Sequence, residues 1–166
     1  LERAPAEARL AVLVAGGPDG VASAAAAERA LRRLKAANDE RDRAVRLVRL
    51  AHHADPTERV VRRALARCGR AHAALAVALW QARGDAAPAV ADAGAAILGR
   101  GDALNAGELA LTGAALIAAL GLTPGPAVGR ALAACLEAVL DEPTRNQPEA
   151  LVAIARAHLD GGATPA

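Results

Sequence analysis

The chain has 166 residues, enough for one domain of ordinary size or two small ones, and 54% of them are hydrophobic. Because it has no Phe, Tyr or Met and a single Trp, its core must be built from small aliphatic side chains, and the abundant Ala predicts an all-α protein. No apolar run approaches the ~20 residues of a membrane-spanning helix and no secretory signal is visible, so we expect a cytoplasmic protein without membrane contact. The chain starts at Leu1 and lacks Met, which predicts a piece of a longer protein.

The charge is unevenly distributed along the chain. Residues 29–70 hold 13 Arg and Lys against 5 Asp and Glu, a net charge of +8, whereas the whole chain carries +2. The strong preference for Arg over Lys suggests a GC-rich coding sequence, which warns against interpreting every Arg as functional. Codon usage does not explain why the excess lies in the middle of the chain, so this segment is a candidate for contact with an anionic partner.

Helical periodicity predicts about eight to ten short helices, and no segment shows the alternation typical of a strand. The helix over 71–83 is apolar nearly all round, so we expect it to be the buried central helix. The predicted helices cover residues 5–16, 23–36, 38–53, 55–69, 71–83, 88–101, 112–121, 125–141 and 146–160.

Capping residues predict where several of the helices in the first two thirds begin and end. Asn38 is a good N-cap, and the acidic residues that follow it suit the first turn of a helix. Asp55-Pro56 is expected to begin a helix that Gly69 ends, and Gly84 is expected to end the helix over 71–83.

The last third of the chain has clearer helix boundaries. Thr112 is a candidate N-cap for a short helix, and Gly121 lies just past its end. Pro126 suits the first position of the next helix. Asn146 with Glu149 three residues later resembles a capping box for the final helix.

Candidates for catalysis or metal binding are few. His52 and His53 are adjacent, so their side chains diverge by about 100° on a helix, and surface histidines are favoured over a metal site. Gly16-Gly17 is interpreted as a plain turn because no P-loop lysine or strand-flanked dinucleotide pattern accompanies it. Cys68 falls on an apolar stripe and is expected to lie in the core. We therefore predict no catalytic residue, no metal site and no cofactor in this chain.

Arginines form stripes on two successive predicted helices. Guanidinium groups pair with phosphates and release their counterions, so such an array favours nucleic-acid contact. The alternative is a solvated helix face rich in Arg through codon usage, and charge alone leaves both interpretations open. The stripes comprise Arg43, Arg46 and Arg49 on one helix and Arg59, Arg63, Arg67 and Arg70 on the next.

The stretch "GLTPGPAVGR" (121–130) has three glycines and two prolines at the junction of two predicted helices. Gly125 is expected to adopt backbone angles closed to other residues, and Pro126 to fix the helix start. Gly129 has no side chain, so another backbone or a phosphate could approach the helix closely there. Helix N-termini also attract anions. From these residues alone a structural corner is favoured over a phosphate site, and Pro126-Ala127 fits a helix-hairpin-helix DNA-binding element poorly.

The order of segments resembles a known family. Residues 109–159, with their Gly-x-x-Pro-Gly-Pro-x-x-Gly corner and Asn-x-x-Glu helix start, resemble the tail of bacterial tRNA nucleotidyltransferases, the CCA-adding and poly(A)-polymerase-like family. Residues 9–14, 28–53 and 61–83 are similar to the helical body of the same family. One departure is Ala115, where the family commonly has Asp.

The resemblance implies an RNA-binding body over 1–105 and a tail over 106–166. It also implies a catalytic head, with a Gly-Ser turn and two metal-binding carboxylates, which no stretch here matches. Mg²⁺ and CTP or ATP would then belong to a head in the same or another chain, while this chain positions tRNA or other structured RNA for 3′-end addition. The competing classes are a helical interaction or assembly module and a DNA-binding module. The residues expected to contact RNA are Arg43, Arg46, Arg59, Arg63, Arg67, Gly125, Gly129 and Arg130.

Overall fold

The structure is a computed structural model that describes residues 20–33, 35, 37–51, 55–83 and 88–161. Within these ranges the chain forms α-helices and short 3₁₀ segments and no strand, so the all-α prediction is confirmed. The predicted helix over 5–16, the Gly16-Gly17 turn and the helix end at Gly84 lie outside the described residues. In the same ranges, no helix combines the length and the apolar character that crossing a membrane requires.

The chain divides into two compact units, the first ending at Arg100 and the second beginning at Gly101. The predicted assignment of a body to 1–105 and a tail to 106–166 stays a prediction. The first unit contains α1 (Gly20–Arg33), α2 (Asn38–Ala51), α3 (Glu58–Cys68), α4 (Arg70–Arg83) and α5 (Pro88–Arg100). The second contains α6 (Gly113–Leu120), α7 (Pro126–Asp141) and α8 (Pro148–Gly161), with 3₁₀ segments at Ala106–Glu108 and Pro143–Arg145.

The first unit packs around Trp80 of α4. This side chain is only 4% exposed, and its Nε1 donates a hydrogen bond of 2.7 Å to the carbonyl oxygen of Leu50. Leu50 lies in the last turn of α2, so the bond holds the end of α2 against α4 and satisfies the buried indole N–H.

Gly94 lets α5 pack closely against α4. A Cβ atom built at Gly94 would lie 2.9 Å from Cζ3 of Trp80 and 2.8 Å from Cγ2 of Val77, closer than carbon atoms approach without strain. The sequence pattern had suggested this role for Gly129, but a Cβ at Gly129 would meet nothing within 4 Å. The expectation that another backbone approaches Gly129 is therefore wrong for the described part of the chain.

The helix α4 is not buried all round. Trp80 and its buried neighbours lie on one side, whereas Ala71, Ala74 and Ala78 are exposed on the other. The prediction of a buried central helix holds for one side only, because Ala is small enough to lie at the surface at little cost. An apolar pattern made largely of Ala therefore does not distinguish a core helix from a half-exposed one.

The start of α3 differs from its predicted position. The carboxylate Oδ1 of Asp55 accepts a hydrogen bond of 2.8 Å from the backbone N–H of Thr57, which forms a turn ahead of the helix, and α3 begins at Glu58. Its predicted end is confirmed, since Gly69 follows the last helical residue with a φ of 89°.

The ends of α6 match the sequence prediction. The Thr112 side chain accepts a hydrogen bond of 3.2 Å from the backbone N–H of Ala115, and Gly121 closes the helix with a φ of 64°. Pro126 is the first residue of α7, as expected. Gly125, however, has a φ of 166°, an extended conformation open to any residue, so the prediction of special backbone angles there is wrong.

Asn146 joins two loops and does not cap the last helix. Its Oδ1 accepts a hydrogen bond of 2.8 Å from the backbone N–H of Ala110, and its Nδ2 donates to the carbonyl oxygen of Glu108 at 3.2 Å. The helix α8 begins two residues later, at Pro148, so the predicted capping box is wrong. The core of the second unit includes Cys135 and Leu151.

Gly94→Ala should destabilise the first unit. Overpacking against Trp80 and Val77 costs about 1–3 kcal/mol, and the better helix propensity of Ala returns only about 1 kcal/mol. We expect the fluorescence of Trp80 to report unfolding at a lower urea concentration. Gly99→Ala is the matched control, because a Cβ at Gly99 in the same helix meets nothing within 4 Å and should leave stability unchanged or slightly increased. Equal stability of the two variants would contradict the packing.

Candidate nucleic-acid interface

An open cavity of about 320 Å³ lies where α2 and α3 meet. Each helix contributes residues at spacings of three and four, so they lie on one face of that helix. The arginines are exposed, and the apolar side chains between them are buried and form the floor. The lining residues in the described part of the chain are Arg46, Arg49 and Leu50 from α2 and Ala64, Arg67 and Cys68 from α3.

The described residues that line this cavity include three arginines and no carboxylate. Within the described ranges, the side chains of Arg46, Arg49 and Arg67 make no hydrogen bond or ion pair with another described residue. Arg49 and Arg67 lie in the last turns of their helices, where the helix dipole stabilises a cation. Each helix end contributes about half a negative charge, so three guanidiniums leave the cavity positive. The arrangement therefore suits an anion that can accept several hydrogen bonds.

Other arginines of this unit serve the fold. Arg62 is 2% exposed, and its Nη2 lies 3.2 Å from Oε2 of Glu58. Arg100 reaches the same carboxylate with Nη1 at 3.2 Å from Oε1 and Nη2 at 2.6 Å from Oε2. Glu58 thus joins the start of α3 to the end of α5 and compensates the buried charge of Arg62. These two arginines are held by the protein and cannot be counted as free binding charge.

Cys68 lies in the core, as predicted, but it also borders the cavity. Burial raises the pKa of its thiol from 9.0 to about 11, and the nearby positive charge of Arg46 partly opposes that increase. The thiol is therefore protonated and weakly nucleophilic at neutral pH.

The sequence matches the family described as tRNA nucleotidyltransferase domain 2 over residues 21–155, well over half of the chain. The chain belongs to this family. The CCA-adding enzyme of Lactiplantibacillus plantarum (strain ATCC BAA-793 / NCIMB 8826 / WCFS1) is 49% identical over 49 residues, which make up 30% of this chain and 12% of that enzyme. No solved structure matches the chain. The predicted resemblance to tRNA nucleotidyltransferases is confirmed, and the parent family is one of nucleotidyltransferases.

The structure of this tRNA nucleotidyltransferase domain brings two of the predicted RNA-contacting arginines together, Arg46 and Arg67. Arg59 is exposed in the first turn of α3, about 12 Å from Arg67 along the helix at ~1.5 Å per residue. Arg63 is half-buried, and both Arg59 and Arg63 have interactions of their own within the chain. Arg43 belongs to α2, but its side chain lies outside the described residues. Their contact with RNA stays a prediction.

The other predicted contact residues are in the second unit, at the start of α7. Gly125, Gly129 and Arg130 are all exposed there, and Gly125 directly precedes the helix. The corner is explained structurally, because Gly121 ends α6 and Pro126 begins α7 only a few residues later. A role for this exposed helix start in binding phosphate also stays a prediction.

The sequence placed Arg49 in an arginine stripe but not among the residues expected to contact RNA, and it did not indicate the apolar floor of the cavity. The available signal was the shared spacing of Arg46, Arg49 and Leu50 on one helix and of Ala64, Arg67 and Cys68 on the next. The histidine pair of His52 and His53 lies outside the described residues. Within the described ranges, no three His, Cys, Asp or Glu side chains are grouped so that they could hold a metal ion.

Alkylation of Cys68 by iodoacetamide should increase steeply with pH. For a pKa of about 11 the thiolate fraction rises about 90-fold from pH 8 to pH 10, whereas a thiol with a pKa of 9 gains only about tenfold. Arg46→Gln should slow the reaction, because loss of the positive charge raises the pKa further. Peptide mass spectrometry of protein shown by circular dichroism to remain folded measures both effects.

The matched control for this measurement is Arg33→Gln on α1, which contributes no described lining residue and should leave the rate at Cys68 unchanged. A rate that levels off near pH 9 in the wild type would mean that Cys68 is not buried at the floor of the cavity.

Proposed function

We propose that this domain binds tRNA through the arginines around the α2–α3 cavity and holds it while a catalytic head outside residues 1–166 adds nucleotides to its 3′ end. Membership of the tRNA nucleotidyltransferase domain 2 family supports tRNA as the partner. The observation that carries the proposal is the convergence of Arg46, Arg49 and Arg67 on one cavity without a carboxylate among its described lining residues.

The physical contribution of this chain is positioning. Planar guanidinium groups form paired hydrogen bonds with phosphate oxygens, and each neutralised phosphate releases condensed counterions. Holding the RNA in one orientation reduces the freedom that the reacting 3′ end would otherwise have to lose in the transition state. In this proposal Mg²⁺, CTP and ATP belong to the head, in the same or another chain, and no residue of this domain reacts.

A helical interaction module is the second candidate function. The exposed apolar side of α4, with Ala71, Ala74 and Ala78, favours it. A partner that covers this apolar side would bind with little dependence on salt, because burial of apolar surface involves few counterions. Salt dependence therefore distinguishes the two functions.

Arg46→Gln/Arg67→Gln should weaken tRNA binding and reduce its dependence on salt. Loss of two phosphate contacts should lower the slope of log affinity against log salt by about one to two. Each lost charge-assisted bond is worth roughly 1.5 kcal/mol, so affinity should fall at least tenfold for different tRNAs alike. Fluorescence anisotropy over a series of salt concentrations measures both quantities.

The control for that variant is Arg29→Gln/Arg33→Gln, which removes the same charge from exposed positions on α1, within the same basic segment. Equal losses from the two variants would mean that only the total charge matters and that the cavity is not the site. Failure of the wild type to bind tRNA at low salt would refute the proposed function of the isolated chain.

Gly129→Leu tests the exposed start of α7 separately. Because a Cβ at Gly129 meets open space, we expect no loss of thermal stability. If RNA phosphate approaches this turn, the larger side chain should reduce tRNA affinity several-fold. Ala133→Leu, at an exposed position one turn along the same helix, should not. Unchanged affinity for both variants would exclude the corner from the interface.

A further inference from the structure

The α2–α3 cavity is larger than a phosphate group requires. Its 320 Å³ lies within the range of small-molecule sites, which begins at about 300 Å³, whereas a phosphate has only five non-hydrogen atoms. An anion held by the arginines would therefore leave room for a second, uncharged group attached to it.

The described lining residues other than the arginines are apolar. Leu50, Ala64 and Cys68 form the floor, and the buried Cys68 thiol is neutral because its pKa is raised to about 11. The guanidinium planes of the surrounding arginines stack well on flat π-systems. An anionic group joined to a flat, weakly polar ring satisfies both parts of the cavity, and a nucleotide has this composition.

The cavity is held open by the fold on the α2 side. The carbonyl oxygen of Leu50 is fixed by the Nε1 of Trp80 at 2.7 Å, and Gly94 allows α5 to pack against Trp80 from behind. A site supported in this way does not have to be formed by its ligand, which lowers the entropic cost of binding.

We infer that this cavity binds one nucleoside monophosphate unit, with its phosphate on Arg46, Arg49 and Arg67 and its base against the apolar floor. The inference deepens the proposed function and rests on it for the source of the nucleotide, an unpaired residue of the bound RNA. A base inside a duplex is stacked and paired, so it cannot enter a cavity between two helices, whereas an unpaired base can turn out and does so at low cost. The cavity would therefore select RNA at an unpaired nucleotide.

Protection of Cys68 from alkylation locates the ligand. Adenosine monophosphate should slow the reaction of Cys68 and leave that of Cys135 unchanged, since Cys135 is buried in the other unit. Ribose 5-phosphate, which lacks the base, should need at least about a fivefold higher concentration for the same protection, since base stacking is lost. A single-stranded RNA oligonucleotide should protect Cys68 more strongly than a blunt duplex of the same length.

Arg67→Lys tests the role of the planar guanidinium. It keeps the charge at an exposed position, so the domain should fold, but lysine cannot form paired hydrogen bonds with a phosphate. Inorganic phosphate and adenosine monophosphate should therefore both need higher concentrations to protect Cys68. Unchanged protection by both ligands in this variant would contradict contact of the phosphate with Arg67.

The other outcomes separate this inference from the proposed function. The inference would be overturned in favour of a simple phosphate site if inorganic phosphate, ribose 5-phosphate and adenosine monophosphate protected Cys68 equally. Equal protection by the single strand and the duplex would overturn it in the same way. If adenosine monophosphate protects Cys68 but the single-stranded RNA does not, the ligand is a free nucleotide and not an unpaired residue of the bound RNA. If tRNA binds with the expected salt dependence but no nucleotide or oligonucleotide protects Cys68, the inference fails while the proposed function stands.

Discussion

The hydrogen bond from the indole of Trp80 to the carbonyl oxygen of Leu50 determines the geometry of the first unit. A core of Ala, Leu and Val fills little volume, so the single Trp, in a sequence without Phe or Tyr, has an unusually large share of the packing. Gly94 makes room for it on one side, and the 2.7 Å bond to Leu50 fixes the end of α2 on the other. Because Arg46 and Arg49 belong to that end of α2, the position of the charges around the cavity depends on a neutral contact behind them.

The arginines of this unit separate into two groups with different physical roles. A buried guanidinium is tolerated only with a compensating charge, and Glu58 supplies one for Arg62 while it also pairs with the exposed Arg100. Arg46, Arg49 and Arg67 border a cavity whose described lining has no carboxylate, and their side chains make no hydrogen bond or ion pair with another described residue. The net charge of the basic segment consequently overstates the charge that is available for binding, since Arg62 and Arg100 are held by Glu58.

What the sequence could predict depended on how far apart in the chain the interacting groups lie. The all-α class and the helix ends at Gly69, Gly121 and Pro126 were predictable because each follows from the conformation of one residue and its neighbours. Asn146 was misinterpreted because its partners, Glu108 and Ala110, are more than 30 residues away. The cavity was not predictable for the same reason. The sequence shows the spacing of its residues on α2 and on α3, but not that these two helix faces lie side by side. Neighbouring arginines such as Arg62 and Arg63 look alike in a sequence pattern, although the first is 2% exposed and the second is half-buried.

The second unit reaches a fixed arrangement without any Phe, Tyr or Trp in its sequence. Aliphatic cores of this kind tolerate alternative packings, so they specify a single structure weakly. Here polar groups bonded to backbone atoms add the missing specificity: Asn146 joins two loops, Thr112 caps α6, and the thiol of Cys135 lies 3.3 Å from the carbonyl oxygen of Leu151 on α8. The corner between α6 and α7 is therefore positioned by directional bonds and needs no special angle at Gly125. A Cβ at Gly129 would meet no atom within 4 Å among the described residues, so internal packing does not require a glycine there. A reason for this glycine must therefore be sought in what contacts the surface of the unit.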